Sequence, residues 1–445
     1  KNKTLLKFLN FGGHEITYQA WNGIDLQTLE NNRTYNPSGL YYDLNGEERF
    51  HENEVDNYKQ DHFQFHWNET IDDNWSTNLS LNYTDGRGYF EQYREDDSVD
   101  GYSGIVGSDL DSNGNILGTT DIIRRRWLDN DFYVLNFSTN YKSDNLDFIF
   151  NGSFSDYDGD HFGEVIWART FSADGKIRDR YYDGNGKKTD LSFFTKVVYS
   201  INNFELFGDL QFRNVKYTTS GTTSDLIEML LNKKHNFFNP KFGATYTLNN
   251  NQHLYFSFGI ANKEPNRNDF ENGISSHENL HDYELGWRLK NESVSLNTNV
   301  YYMRYKNQLV LTGAIDNVGA PVRETSGKSY RLGLEIDADI TLSDKFSIKP
   351  NAAFSTNKNN DFFITRDEVD EPQALGNTNL SFSPNVVVGN IFMYTPIESL
   401  QISFLSKYVG KQYMSNLNSA ISTNDVLSSY FTSDLNFTYV LKSES

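Results

Sequence analysis

The sequence predicts an all-β chain, an antiparallel transmembrane β-barrel, and three observations carry that expectation. Apolar and polar residues alternate in runs of about 9–13 residues, the length of a tilted strand crossing a bilayer. Aromatics reach 15%, with 28 Tyr and 33 Phe, yet hydrophobic residues make up only 37% and the mean hydropathy is −0.65. Short polar turns alternate strictly with long loops.

Composition comes first. A soluble core of this size would be expected to draw on about 45–50% apolar residues counting glycine. A disordered chain would hold few aromatics. A membrane barrel reconciles the two, because only alternate residues face lipid while the rest face a wet interior. No stretch approaches 18 consecutive apolar residues, so helical spans are excluded. A spanning structure without helices must then be a barrel, since every backbone N–H and C=O needs a partner inside lipid. With only 8 prolines and no linker-like segment, the 445 residues read as one architectural unit. The net charge of −20 argues against a nucleic-acid partner. The lack of Cys removes a disulfide framework and thiolate metal sites. Lys1 opens a polar, strand-like stretch rather than a basic-then-apolar leader.

The alternation is clearest in three runs. Trp75, Thr77, Leu79, Leu81 and Tyr83 interleave with Ser76, Asn78, Ser80, Asn82 and Thr84. Tyr330, Leu332, Leu334, Ile336, Ala338, Ile340 and Leu342 interleave with Arg331, Gly333, Glu335, Asp337, Asp339 and Thr341. Phe431, Ser433, Leu435, Phe437, Tyr439 and Leu441 form the third. A soluble sandwich also alternates, but its strands average about 5–6 residues. Aromatics near the run ends (Trp75, Tyr83, Tyr141, Tyr305, Tyr394, Tyr408, Tyr430) suit an interfacial girdle.

Short turns are expected at 70–74, 142–145, 202–203, 249–252, 290–293, 343–345 and 395–399. Long loops are expected at about 27–61, 84–126, 158–190, 218–238, 261–281, 306–329, 356–381 and 409–429. Short periplasmic turns and long extracellular loops fix the orientation. Seven hairpins, a first strand at about 3–21 and a last at about 430–441 give about sixteen visible strands. The chain starts in mid-strand and stops at Lys442-Ser443-Glu444-Ser445, without a terminal aromatic, so a fragment is expected.

Sharp chemistry is scarce. Asp109, Asp111, Asn113 and Gly114 open like a calcium-binding loop, but its twelfth position is Thr120 rather than a bidentate Glu, so a tight turn is the stronger reading. Asp156, Asp158, Asp160, His161 and Glu164 cluster in a long loop, where acidity more often serves solubility than a cation. Glu335, Asp337 and Asp339 are neighbouring interior positions on one strand, read as ordinary polarity of a wet face or contact with a plug or cationic substrate. No G-x-S-x-G elbow accompanies His62, His66 or His253. Catalytic residues, a metal site and cofactors are not expected; transport is.

Several segments resemble the barrel portion of TonB-dependent outer-membrane receptors, the Bacteroidetes type in particular. They are Tyr18 to Gly23, Arg124 to Tyr133, Tyr157 to Trp167, Phe238 to Lys241, Glu264 to Phe270, His281 to Gly286, Tyr301 to Thr312 and Tyr408 to Tyr413. The resemblance implies a barrel of about 22 strands around an N-terminal plug, of which 1–445 would be a partial barrel domain lacking the plug and the terminal strands. It implies a place in the bacterial outer membrane, contact with its lipid, and uptake of a scarce, bulky solute or metal chelate. A TonB coupling protein would engage the missing N-terminal region. An iron–siderophore complex is the first expectation; cobalamin, oligosaccharide, a passive porin-type channel and an adhesion barrel stay open. Trp21, Trp167, Arg169, Arg267 and Asn268 are the expected substrate contacts, because aromatic rings and guanidinium groups there can stack on or pair with a ligand. Capping and loop packing by residues 266–268 is the competing reading.

Overall fold

The computed structural model describes residues 3–43, 45–315, 321–366, 369–417 and 426–441. The expectations placed on Lys1 and on residues 442–445 lie outside them.

The chain opens with β1 (Thr4–Tyr18), the short helix α1 (Leu26–Asn31), and β2 (Leu40–Tyr42) paired with β3 (Glu48–Phe50). Long strands follow: β4 (Val55–Thr70), β5 (Trp75–Ser98), β6 (Thr119–Lys142), β7 (Leu146–Ala168), β8 (Arg180–Ile201) and β9 (Phe204–Gly221). Next come β10 (Leu231–Asn249), β11 (Gln252–Lys263), the short helix α2 (Arg267–Glu271), β12 (Glu278–Lys290) and β13 (Val294–Lys306). The hairpin of β14 (Leu309–Ile315) and β15 (Pro321–Thr325) precedes β16 (Lys328–Ser343), β17 (Phe346–Arg366), β18 (Val369–Asn379), β19 (Val386–Ile397) and β20 (Leu400–Val409). The chain closes with β21 (Gln412–Tyr413), β22 (Val426–Leu427) and β23 (Tyr430–Tyr439).

Among the described residues, seventeen strands belong to one antiparallel sheet. They are the sixteen that the hairpin count predicts, plus β18, which pairs with the far half of β17. All seven short turns fall between the expected strands. The long loops are shorter than predicted. β5 continues to Ser98, β6 starts at Thr119, β7 reaches Ala168 and β8 starts at Arg180. Beyond the lipid both faces of a strand are wet, so alternation fades while the backbone ladder continues. Tyr305 also departs from the expected girdle: it shares a face with Tyr301 and Met303, while Tyr302 is the exposed ring.

Two compact units make up the chain. The first is Lys1–Asn140, Phe150–Phe193 and Arg213–Asn236; the second is Tyr141–Ile149, Phe194–Phe212 and Phe237–Ser445. In the first, Phe63, Tyr83 and Tyr133 stack across strands with centroids 5.9 and 4.7 Å apart. In the second, Phe242, Phe258, Tyr283, Tyr302 and Tyr330 form a longer row at 5.2, 4.8, 6.3 and 6.2 Å. Phe242↔Phe258, Phe258↔Tyr283 and Tyr283↔Tyr302 are direct cross-strand partners. Such exposed rows suit the interface between headgroups and acyl chains, where an aromatic ring is apolar over most of its body.

The opposite face is polar, and close approach shapes it. Tyr255 lies over its cross-strand partner Gly286, and Tyr301 over Gly333; a Cβ at either glycine would run into the ring. The apolar core sits at the far ends of the first unit's strands. Tyr102, Ile105, Val106, Ile122, Val165, Ala168, Tyr181 and Tyr182 cluster there, joined by Phe171 and Leu226.

Candidate functional site

On the polar face of the first unit, β4, β5 and β6 place every second residue toward one cavity of about 710 Å³. Tyr58, Gln60, His62 and Gln64 come from β4, Asn82 and Thr84 from β5, and Leu128, Asn130 and Phe132 from β6. Tyr157, Lys188 and Asp190 complete the wall. The groups hold one another in place. His62 Nδ1 lies 2.9 Å from Thr84 Oγ1, Tyr58 Oη donates to Asn130 Oδ1 at 3.1 Å, and Phe11 stacks on the His62 ring at 4.8 Å. Arg213 Nε donates to Asp190 Oδ2 at 2.8 Å. Asn82 Oδ1 and Asp190 Oδ1 are buried with no hydrogen-bond partner among the described residues. The cavity therefore offers acceptors for hydroxyl or N–H donors of a solute.

Farther along the same face the lining turns aromatic and cationic. Trp21 packs edge-on against Phe90 at 4.9 Å, and the Arg126 guanidinium lies over the same ring at 5.8 Å. Arg126 is buried and also donates to Tyr181 Oη at 3.4 Å. On β6, Arg124 donates to Tyr102 Oη at 3.0 Å and to Gln92, while on the opposite face Arg125 reaches Glu91 at 2.7 Å and covers the Tyr89 ring at 4.1 Å. His51 Nε2 meets the other Glu91 oxygen at 3.0 Å. Trp127 donates from Nε1 to Glu164 at 3.0 Å. Burial pushes the Tyr102 hydroxyl's pKa up, with Arg124 opposing.

The expected contact residues fall into two groups. Trp167 leaves 39% of its surface exposed and stacks against Tyr93 at 6.5 Å. Tyr93 Oη donates to Asp121 at 2.5 Å, and Arg169 pairs with Asp121 and, at 3.1 Å, with Asp109. Burial alone would lower the Arg169 guanidinium's pKa, but Asp121 and Asp109 more than offset it and hold it above its ordinary value. Trp167 and Arg169 are thus joined through Tyr93 and Asp121, while Trp21 belongs to the Phe90–Arg126 stack. Arg267 and Asn268 lie on α2 in the second unit, where Asn266 and Asp269 form a capping box. Arg267 donates to Glu271 at 2.7 Å, and the Asn268 carbonyl receives the Asn272 N–H at 3.0 Å. Loop-packing chemistry is what that geometry shows for both.

The acidic motifs are also occupied by protein. Asp111 accepts from the Asn113 and Asn115 backbone N–H groups, and Asp109 from Thr120, Thr170 and Arg169, so residues 109–120 form a tight hairpin. Asn185 donates to Asp158 and Asp160, and Lys187 pairs with Asp156 and Asp158. Asp339 pairs with Lys349 at 2.7 Å, while Glu335 and Asp337 line a cavity of about 300 Å³. Reading by residue type missed Arg126, Phe90 and Tyr89. For Phe90 and Arg126 the signal was parity: positions of equal parity with the cavity residues of β5 and β6 run straight on to them, whereas Tyr89 has the opposite parity and lies on the other face.

Residues 4–443 match the sequence family described as TonB dependent receptor-like, beta-barrel. No curated protein matches the chain. Among solved structures, the unliganded ferric citrate transporter FecA is 14% identical with a TM-score of 0.66, covering 100% of this chain and 61% of its own. The closed form of the ferric-catecholate import receptor Fiu from E. coli K12 is 13% identical, TM-score 0.61, covering 99% and 66%. The ferric yersiniabactin uptake receptor FyuA from Yersinia pestis is 14% identical, TM-score 0.58, covering 86% and 54%. The chain spans between about half and two-thirds of the length of these proteins.

Proposed function

Because the chain belongs to the TonB-dependent receptor β-barrel family, whose members are outer-membrane transport receptors, we propose that it forms the wall of a receptor that takes up an iron–siderophore complex. The observation that carries this reading is the family match along nearly the whole chain. The ferric loads named for the solved neighbours favour iron as the cargo. The geometry supports the reading with groups suited to gripping a chelate. Trp21, Phe90 and Trp167 offer rings, and Arg126 a buried guanidinium, at the far end of a cavity rich in hydrogen-bonding groups. In this proposal Arg169, Arg267 and Asn268 touch solute through loops that they also hold in shape.

The proposed mechanism is selective capture followed by energised passage. Far loops bind the chelate, the apolar face anchors the wall in lipid, and a plug within the full receptor moves when a TonB coupling protein engages its N-terminal region. The test is iron-limited growth of the host with and without the full-length gene, with ferric chelates, cobalamin and glycans supplied singly. Growth lost on one ferric chelate supports the reading and names the cargo. Unchanged growth on every iron source removes iron uptake, and a defect confined to cobalamin or one glycan reassigns the solute.

A further inference from the structure

On the exposed face of the second unit, the aromatic row Phe258, Tyr283, Tyr302, Tyr330 is followed, one step along each strand, by a different chemistry. Parity carries β12 from Tyr283 to His281 and Asn279, β13 from Tyr302 to Arg304 and Lys306, and β16 from Tyr330 to Lys328. Exposure confirms the shared face for Tyr302, Arg304 and Lys306. Cross-strand pairing brings the groups together: His281 opposes Arg304, Asn279 opposes Lys306, and Lys306 opposes Lys328. His281 also meets the Phe258 ring edge-on at 6.0 Å, which ties the cluster to the row. Together with Tyr305 these residues line a hollow of about 200 Å³.

Lys306 and Lys328, facing each other across strands with Arg304 two positions along from Lys306, repel unless an anion lies between them. The chain carries 60 acidic residues against 40 basic ones, yet no acid lines this hollow, and none pairs with Arg304, Lys306 or Lys328 among the described residues. We propose that His281, Arg304, Lys306 and Lys328, with Asn279, bind the phosphate groups of a lipid headgroup in the outer leaflet. The aromatic row sets the height: beyond rings that mark the edge of the apolar band lies the headgroup layer, where lipid phosphates reside. Long Lys and Arg stems are able to carry their charges to that level. The site is independent of which solute the receptor takes up.

The test uses the full-length receptor in maltoside micelles, titrated with bis-phosphorylated lipid A and read by native mass spectrometry. Arg304→Gln/Lys306→Gln/Lys328→Gln is expected to weaken binding roughly a hundredfold, at about fivefold for each cation near a charged surface. Lys59→Gln, at a rim cation already paired with Asp61, leaves it unchanged. On the native protein, lipid A stripped of phosphate binds as weakly as bis-phosphorylated lipid A binds the triple variant, and millimolar inorganic phosphate does not displace the intact lipid. Full-strength binding of the stripped lipid overturns the proposal without any variant, as does unchanged affinity in the triple variant. Displacement by free phosphate overturns the headgroup assignment.

Discussion

The two units finish their strands in different ways. In the first, β5 to β8 run 24, 24, 23 and 22 residues, roughly twice the 9–11 that lipid requires. Its rim is made by prolonging the wall and closing it over an apolar core around Ile122, Val165 and Tyr102. In the second, β17 also reaches 21 residues, but β11, β12 and β13 stop at 12, 13 and 13. Short elements there are fastened by buried polar side chains instead. Asn416 receives Asn359 Nδ2 and the Ser381 N–H on its oxygen and donates to the Leu311 carbonyl and Glu324. Arg323 grips Asp269 at 2.8 and 2.5 Å. A ladder with an apolar core spreads stability over many weak contacts, whereas a polar fastening concentrates it in a few. The charge beyond the aromatic rows differs as well. Asp61, Asp85 and Asp131 follow Phe63, Tyr83 and Tyr133, with Lys59 paired to Asp61; in the second unit Arg304 and Lys328 follow Tyr302 and Tyr330.

The largest expected effect tests that concentration. Arg323→Ala leaves the Asp269 carboxylate, 2% exposed, without its cation, so the opening free energy around α2 should fall by about 3–5 kcal/mol. Hydrogen exchange at the Phe270 and Ile274 amides, both bonded within that turn, reads it directly. The matched change in the first unit is Arg169→Ala. Asp121 is equally buried but keeps two donors, Tyr93 Oη and the Asp96 N–H, where Asp269 keeps the Asn266 N–H, and Arg169 is itself half exposed, so about 1–2 kcal/mol is expected. Equal losses at the two sites would break the contrast between spread and concentrated stability.

Much of the wall was legible because lipid imposes a period of two. Trp75 to Tyr83 and Tyr330 to Leu342 carry that period and lie in strands, and the short turns between hairpins followed from it. The far ends were illegible for the same reason. The segment from Glu91 to Ser98 is strand, but its sequence, Glu-Gln-Tyr-Arg-Glu-Asp-Asp-Ser, has no apolar side, since no lipid asks for one. At the candidate site, Trp21 was legible from residue type; its partner Arg126 was hidden in a run of three arginines whose members face different neighbours. The pairing of Arg323 with Asp269 joins residues 54 apart and leaves no local mark. The cation cluster was legible in principle, by carrying the parity of Tyr302 two positions further.

The smallest effect sharpens the comparison through pH. Burial pushes up the pKa of Glu54 in the first unit's rim and of the half-buried Glu324 in the second's. Around Glu54 the Tyr93 N–H and the charges of His51, Arg94 and Arg124 pull it back down; around Glu324 only Asn416 does. A carboxyl with a raised folded pKa holds its proton more tightly closed than open. Its contribution is therefore fully present below the ordinary Glu range of about 4 and is lost as pH rises through the raised value. Both rims should loosen as pH rises from about 4 toward neutrality, the second more steeply, because one amide offsets the burial of a charge less than the Tyr93 N–H and the charges around Glu54 do together. Hydrogen exchange across that interval checks the slopes, with Glu324→Gln and Glu54→Gln each expected to flatten its own rim and leave the other unchanged. A steeper slope in the first unit would show that its cations do not screen Glu54, and would remove the electrostatic half of the contrast while leaving the structural half intact.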